Sequence, residues 1–311
     1  MTSGGGLRAP APPQSFSQMF THCADPSQLE GLSWLLCYLT TGKQFLFYGS
    51  FLIVIALLVV TAPVALLFGF GGALAARSPI LPLRLFGKGY TSMVRGVPDI
   101  IFFLFVPVAM DQGLEYLRHL WKCPPSDAPV WANNEFNVCA AAKIPLSTSP
   151  QIWHEAYGFA LAVVAFAVVF GAFAANVLYG AMNAVPRAQL ETAEAYGMSP
   201  AQVRRRILIP QMWTYALPGL ANLWMILIKA TPLLFLLGIE DIVYWARELG
   251  ATKSGIYAFP HPDWRVWYFL VLLGFYLGMT RVSEILLGRL TARLSRGQAT
   301  MAGEAMRKAG A

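Results

Sequence analysis

The chain has 311 residues, of which 56% are hydrophobic and 13% charged, and its formal net charge is +7. Soluble domains carry about 25% charged residues, so a soluble enzyme or a disordered chain is excluded for want of polar surface. The basic residues stand in short segments between apolar runs, which argues against a nucleic-acid surface.

Residues 1–15, rich in Gly, Pro and Ser, read as a tail. Arg8 is followed by prolines and polar residues rather than an apolar signal core, so the first long span is expected to target the chain itself. Residues 28–41 include Trp34, Leu35, Leu36 and Tyr38, too short a patch to span, and read as an interfacial helix. A bilayer core takes about 20 apolar residues in a helix. From Gln44 to Ala76, 33 residues carry no formal charge. They predict a first span within 46–73, with Gly69, Gly71 and Gly72 suited to close helix packing.

A second span is weaker. Ile100–Met110 is an apolar run of only 11 residues. Counting back through Tyr90–Val97 supplies the missing length, with Arg95 snorkelling or paired. A third span is predicted within 157–182, inside the uncharged run Ala156–Pro186, a fourth within 211–237 and a fifth within 265–287.

Charge asymmetry orients these spans. Arg77, Arg84 and Lys88 lie between the first two spans, Arg187 and Arg204–Arg206 between the third and fourth, and Arg289, Arg293 and Arg296 after the fifth. Residues 111–155 hold five acids against three Lys or Arg, and residues 238–264 four against two. The expected protein is all-α, with five transmembrane helices, its N-terminus on the translocated side and its C-terminus in the cytoplasm. It divides into a periplasmic segment 1–45, a membrane domain 46–290 with an external loop 111–155 and a cytoplasmic loop 183–210, and a cytoplasmic tail 291–311.

That topology puts Cys23, Cys37, Cys123 and Cys139 on or near the outer side. Cys123 and Cys139 share one loop and either bridge in an oxidising compartment or remain free thiols. No Gly-x-x-x-x-Gly-Lys-Ser/Thr string is present, so the chain does not cradle ATP phosphates by that route. The histidines at 22, 119, 154 and 261 are scattered, and no metal or catalytic site is expected.

The loop at 183–210 carries the most information. Glu191–Tyr196 favours helix, Gly197 offers a C-terminal stop, and Ser199-Pro200 opens a new helix. A free loop has no need of such order, whereas a docking element does. The segment resembles the cytoplasmic Glu-Ala-Ala loop of ABC importer permeases, matching at Glu191, Ala193 and Gly197 with Thr192 for the central alanine; Ile207 and Pro210 fit the downstream Ile-x-Leu-Pro. Arg95-Gly-Val-Pro98, Ala216-Leu-Pro218, Asn222 and Lys229-Ala-Thr231 are similar to the second- and fourth-span patterns of the polar amino-acid (histidine, arginine, glutamine and opine) subfamily.

The resemblance implies the type I importer permease fold in a bacterial inner membrane and a coupling helix seated on a separate ATPase. Glu191, Thr192, Ala193 and Gly197 would carry that contact, with Gly197 permitting a turn that a side chain would obstruct. It implies that ATP and Mg are used by the ATPase chains, with no cofactor on this one. The implied partners are a homologous permease half or a second copy, two ATPases, a periplasmic solute-binding protein and the surrounding lipid.

Polar groups at membrane depth are candidates for the solute path. They are Asn176, where family members have an acid, Lys229, and Thr231 before Pro232. Lys229 reads equally as a structural partner of a carboxylate or of helix carbonyls, and Asn176 as a packing residue. The segment before the first span and the expanded external loop are expected to shape a binding-protein docking surface or to cap the half. The function expected is uptake of a polar amino acid or derivative. The alternatives are an ABC permease for another small solute and an ATP-independent secondary transporter.

Overall fold

In the computed structural model, the described residues are 23, 30–93, 98–123, 130–132, 135–146, 148–233 and 239–294. The tail at 1–15, the Arg95-Gly-Val segment and the basic residues from Arg296 onward lie outside them. The described residues form ten α-helices: α1 (Gly31–Leu39), α2 (Gly42–Ala76), α3 (Leu81–Met93), α4 (Asp99–Lys122), α5 (Gln151–Ala184), α6 (Arg187–Ala195), α7 (Pro200–Val203), α8 (Ile209–Ala230), α9 (Ile242–Gly250) and α10 (Arg265–Leu294). The only sheet among them is a two-stranded antiparallel pair, β1 (Trp131–Ala132) with β2 (Glu135–Phe136).

Five helices are long and apolar enough to cross a bilayer, built on α2, α4, α5, α8 and α10. Four coincide with the predicted spans. The second differs. Pro98 stands at the N-cap of α4, so the span starts at Asp99; residues 94–97 of the predicted extension lie outside the described residues. Tyr90 belongs instead to α3, a separate 13-residue helix. The missing length comes from the other end, where α4 runs on through Asp111 to Lys122, residues expected in the external loop. On the fourth, α8 stops at Ala230 and Thr231–Leu233 tightens into a 3₁₀ turn, and residues 234–237 of the predicted span lie outside the described residues.

The chain divides into two compact units, one of residues Met1–Ile53 with Glu240–Leu272, the other of Val54–Ile239 with Leu273–Ala311. The second is built around α5, which packs against α8, α4 and α3. Small residues make the close approach possible. A Cβ on Gly69 would stand 2.7 Å from the Ala174 Cβ, and one on Gly72 2.6 Å from the Tyr90 ring. Gly71, expected to do the same, faces open space. Tyr90 ties α3 to α5 by donating from its hydroxyl to the Val168 carbonyl at 2.6 Å.

The first unit is held differently. Cys23 and Cys37 form a disulfide with Cα atoms 5.6 Å apart, and the next residue, Tyr38, is buried. Its hydroxyl lies 2.8 Å from that of Tyr268 and 3.4 Å from His261 Nε2. Gln44 Nε2 donates to the Tyr268 hydroxyl. The Trp34 ring centroid is 5.5 Å from those of Tyr38 and Phe259 and 6.0 Å from that of Trp264. Asp241 is fully buried and caps α9, accepting from the backbone N–H groups of Val243 at 3.0 Å and Tyr244 at 2.9 Å.

Candidate functional site: the loop between α5 and α8

Pro186 stands at the N-cap of α6, and the helix runs nine residues. It stops in a Schellman arrangement. Gly197 N–H donates to the Glu194 carbonyl at 2.9 Å and Met198 N–H to the Ala193 carbonyl at 3.1 Å. Gly197 has φ +79°, and a Cβ there would meet nothing within 4 Å. The glycine is thus needed for its left-handed backbone, which a Cβ would strain although no neighbouring atom would meet it.

Two residues later the chain is caught again. Ser199 Oγ accepts from Gln202 N–H, while Gln202 Oε1 accepts from Ser199 N–H at 2.8 Å, a reciprocal capping box. Pro200 at the first position adds a preset φ. α7 then passes through a π-helical turn at Arg204–Leu208 into α8. At its base the loop is anchored by Leu190, which packs on the cluster formed by Leu178, Met182, Val185, Leu208 and Met212. Local hydrogen bonds therefore fix the shape of the loop, and apolar packing fixes it to α5 and α8.

Glu191, Thr192 and Gly197 are exposed. Ala193 is turned inward at 7% exposure and seats α6 on its own chain. Tyr196, which the motif did not single out, is 85% exposed at the turn. An aromatic ring ahead of a left-handed glycine was the available signal for it.

The path candidates part company. Asn176 is half-buried on α5. Thr231 is 0% exposed, and its Oγ1 donates to the Ile228 carbonyl at 2.9 Å and lies 2.9 Å from the Tyr276 hydroxyl. This ties α8 to α10. Lys229 is exposed and has no ion-pair partner among the described residues. Cys123 and Cys139 form a disulfide with Cα atoms 6.2 Å apart. His119 Nδ1 accepts from Cys139 N–H at 3.2 Å and Glu115 Oε1 from Ile144 N–H at 3.2 Å, so the external loop is tied to the last turns of α4. His119 and the two cysteines are the only metal-like grouping among the described residues, and both sulfurs are committed to the disulfide.

A helix, left-handed stop and second helix projecting between two spans is the form of a docking element. Residues 68–296 match the family described as binding-protein-dependent transport system inner membrane component. The chain belongs to this family. It is accordingly a permease subunit of the inner membrane, and α2, α4, α5, α8 and α10 are its membrane helices.

Among curated relatives, the histidine/lysine/arginine/ornithine permease HisQ of Escherichia coli is 30% identical over 243 residues, covering 77% of this chain and 87% of HisQ. The arginine permease ArtQ of Haemophilus influenzae is 32% identical, covering 68% of this chain and 79% of its own. The nopaline permease NocQ of Agrobacterium fabrum is 34% identical, covering 63% and 74%. A solved structure of an amino acid ABC transporter with histidines superposes with a TM-score of 0.57 at 20% identity, covering 86% of this chain and 99% of that one, and shares the fold.

Proposed function

We propose that this chain is one half of an ATP-driven importer for an amino acid or a close derivative such as an opine. The doubly capped loop between α5 and α8 carries the reading. α6 is its coupling helix, offering Glu191, Thr192 and Tyr196 to a groove on a separate ATPase, with Gly197 setting the angle at which they are presented. Closure of two ATPases around ATP and Mg would push on α6. Because α6 is anchored to α5 and α8 through Leu190, that push is transmitted to the membrane helices.

The partner set is two ATPases, a second permease half (homologous or identical) and a periplasmic solute-binding protein. The N-terminus lies outside and the C-terminus in the cytoplasm, as the arginines flanking α5 and α8 favour. HisQ, ArtQ and NocQ are named for cationic amino acids and an opine, which supports the cargo class.

Affinity purification in mild detergent tests this. A P-loop ATPase and a second five-span permease should copurify. A stable assembly of this chain alone, free of ATPase, would favour an ATP-independent transporter instead.

A further inference from the structure

A cavity of about 550 Å³ opens where the external loop joins α4 to α5, within the roughly 300–1,000 Å³ of small-ligand sites. Its wall is apolar at Ile144, Leu146 and Trp153 and polar at Arg118, Ser149 and Tyr157. Three residues on one face of α4, at i, i+4 and i+7, meet the loop and α5. Asp111 Oδ1 accepts from the Tyr157 hydroxyl at 2.7 Å, and Glu115 Oε1 from Ile144 N–H at 3.2 Å. Arg118 Nη2 donates to the Ala141 carbonyl at 3.2 Å.

Each carboxylate thus has its donor, whereas Arg118 forms no ion pair among the described residues. Its Nε is buried without a hydrogen-bond partner. A guanidinium stays charged and its planar fork matches the oxygens of a phosphate, while a buried donor of a charged group is costly to leave unpaired. The missing partner is an anion. α5 begins beside the cavity with no side-chain cap and no acid in its first turn, so the helix dipole favours an anion there as well.

Depth selects which anion. Asn183, at the far end of α5, accepts from Arg77 and marks one headgroup layer. From Asn183, Tyr157 and Trp153 lie about 39 and 45 Å along the helix, and a bilayer with its headgroups is about 40–45 Å thick. The cavity therefore stands at the opposite headgroup layer, with two rings of the interfacial aromatic belt in its wall. A free inorganic anion would leave the apolar wall wet. A phospholipid offers a phosphate to Arg118 and carbon chains to Ile144, Leu146 and Trp153.

We infer that this cavity is a phospholipid site, in which Arg118 binds the phosphodiester of a lipid in the leaflet beside the external loop and the apolar wall takes the start of its acyl chains. A lipid seated there bridges α4, α5 and the loop between them, and holds the disulfide-closed loop against the bilayer surface. The site goes beyond the importer reading and does not depend on it.

The test uses the complete importer in vesicles of phosphatidylethanolamine and phosphatidylglycerol, with a phosphatidylglycerol that carries a diazirine close to its glycerol backbone. Illumination should label the segment 144–157. Arg118→Gln should lower that labelling at least fivefold. Lys122→Gln, at an exposed cation one turn further along α4 and outside the cavity wall, should leave it unchanged. Leu146→Trp, which fills the cavity and keeps the arginine, should lower it as well. Glycerol phosphate, a headgroup without chains, should not compete at millimolar concentration.

Unchanged labelling in both Arg118→Gln and Leu146→Trp would overturn the site. Competition by glycerol phosphate would make the ligand a soluble phosphate and overturn the lipid. Absence of lipid adducts at 144–157 in the wild type would overturn it too, in favour of a protein cover. Copurification of the ATPase in the same preparations reads the importer assignment separately.

Discussion

The loop at 187–203 and the unit that holds α1 and α9 are assembled by opposite means. In the loop, every backbone and capping hydrogen bond joins residues within five positions of each other, with apolar anchors at Leu190 and Ala193. In the other unit, Tyr38, Gln44, His261 and Tyr268 meet across more than 200 residues of chain, and a disulfide joins Cys37 of α1 to Cys23, 14 residues earlier. The first arrangement forms wherever its short sequence occurs and keeps its shape while the helices around it move. The second holds only while distant segments stay in place. A transmitting element benefits from the former, and a fixed cap at a helix end from the latter.

Reduction of the Cys23–Cys37 bridge should separate the two regions most widely. Closing a loop of this length is worth about 3 kcal/mol in the chain-entropy account. With Cys37→Ser, amide hydrogen exchange should quicken at residues 31–39 and 261–268 and stay unchanged at 187–203. Equal acceleration in both would show that the loop depends on the distant network after all.

Asp241 provides a pH handle on the second region alone. Burial raises its carboxyl from 3.8 to about 6, against the two backbone N–H groups that favour its charged form. The folded state therefore holds the proton more tightly than the unfolded state. The associated stability is present below about pH 4 and is lost as pH rises through 6. Each pH unit between those two limits removes about 1.4 kcal/mol. Thermal unfolding measured from pH 4 to pH 7 should show this decline. Asp241→Asn, which keeps an oxygen for the α9 cap, should flatten it.

Smaller effects belong to the loop. Gly197→Val places a β-branched residue in left-handed backbone at a cost of about 1–2 kcal/mol. Because a Cβ there meets nothing, the membrane helices should keep their melting temperature while ATPase copurification falls. Ser199→Ala removes one half of the capping box, worth about 1 kcal/mol, and should speed exchange at Gln202 without dissociating the ATPase.

Legibility from sequence follows the same division. The stop at Gly197 and the restart at Ser199-Pro200 are read correctly because a cap is a local event. The first, third and fourth spans are read from uncharged runs. The second span goes astray because hydropathy favours Tyr90–Val97 over the charged stretch Asp111–Lys122, whereas α4 starts after Pro98 and runs on to Lys122. The burial of Tyr38 and Asp241 cannot be read, since spacing does not report which distant elements meet. Ala193 and Thr231 show a related limit of motif reading: a matched residue can serve the chain's own packing.

The claim that α6 and its glycine turn form the contact with a separate ATPase is tested most directly at Tyr196, the ring left most exposed at the turn. Replacement of Tyr196 by benzoylphenylalanine, followed by illumination of native membranes, should yield one dominant adduct, with a P-loop ATPase. Adducts with lipid alone, or with no ATPase among the products while the variant is present at wild-type abundance, would contradict the account.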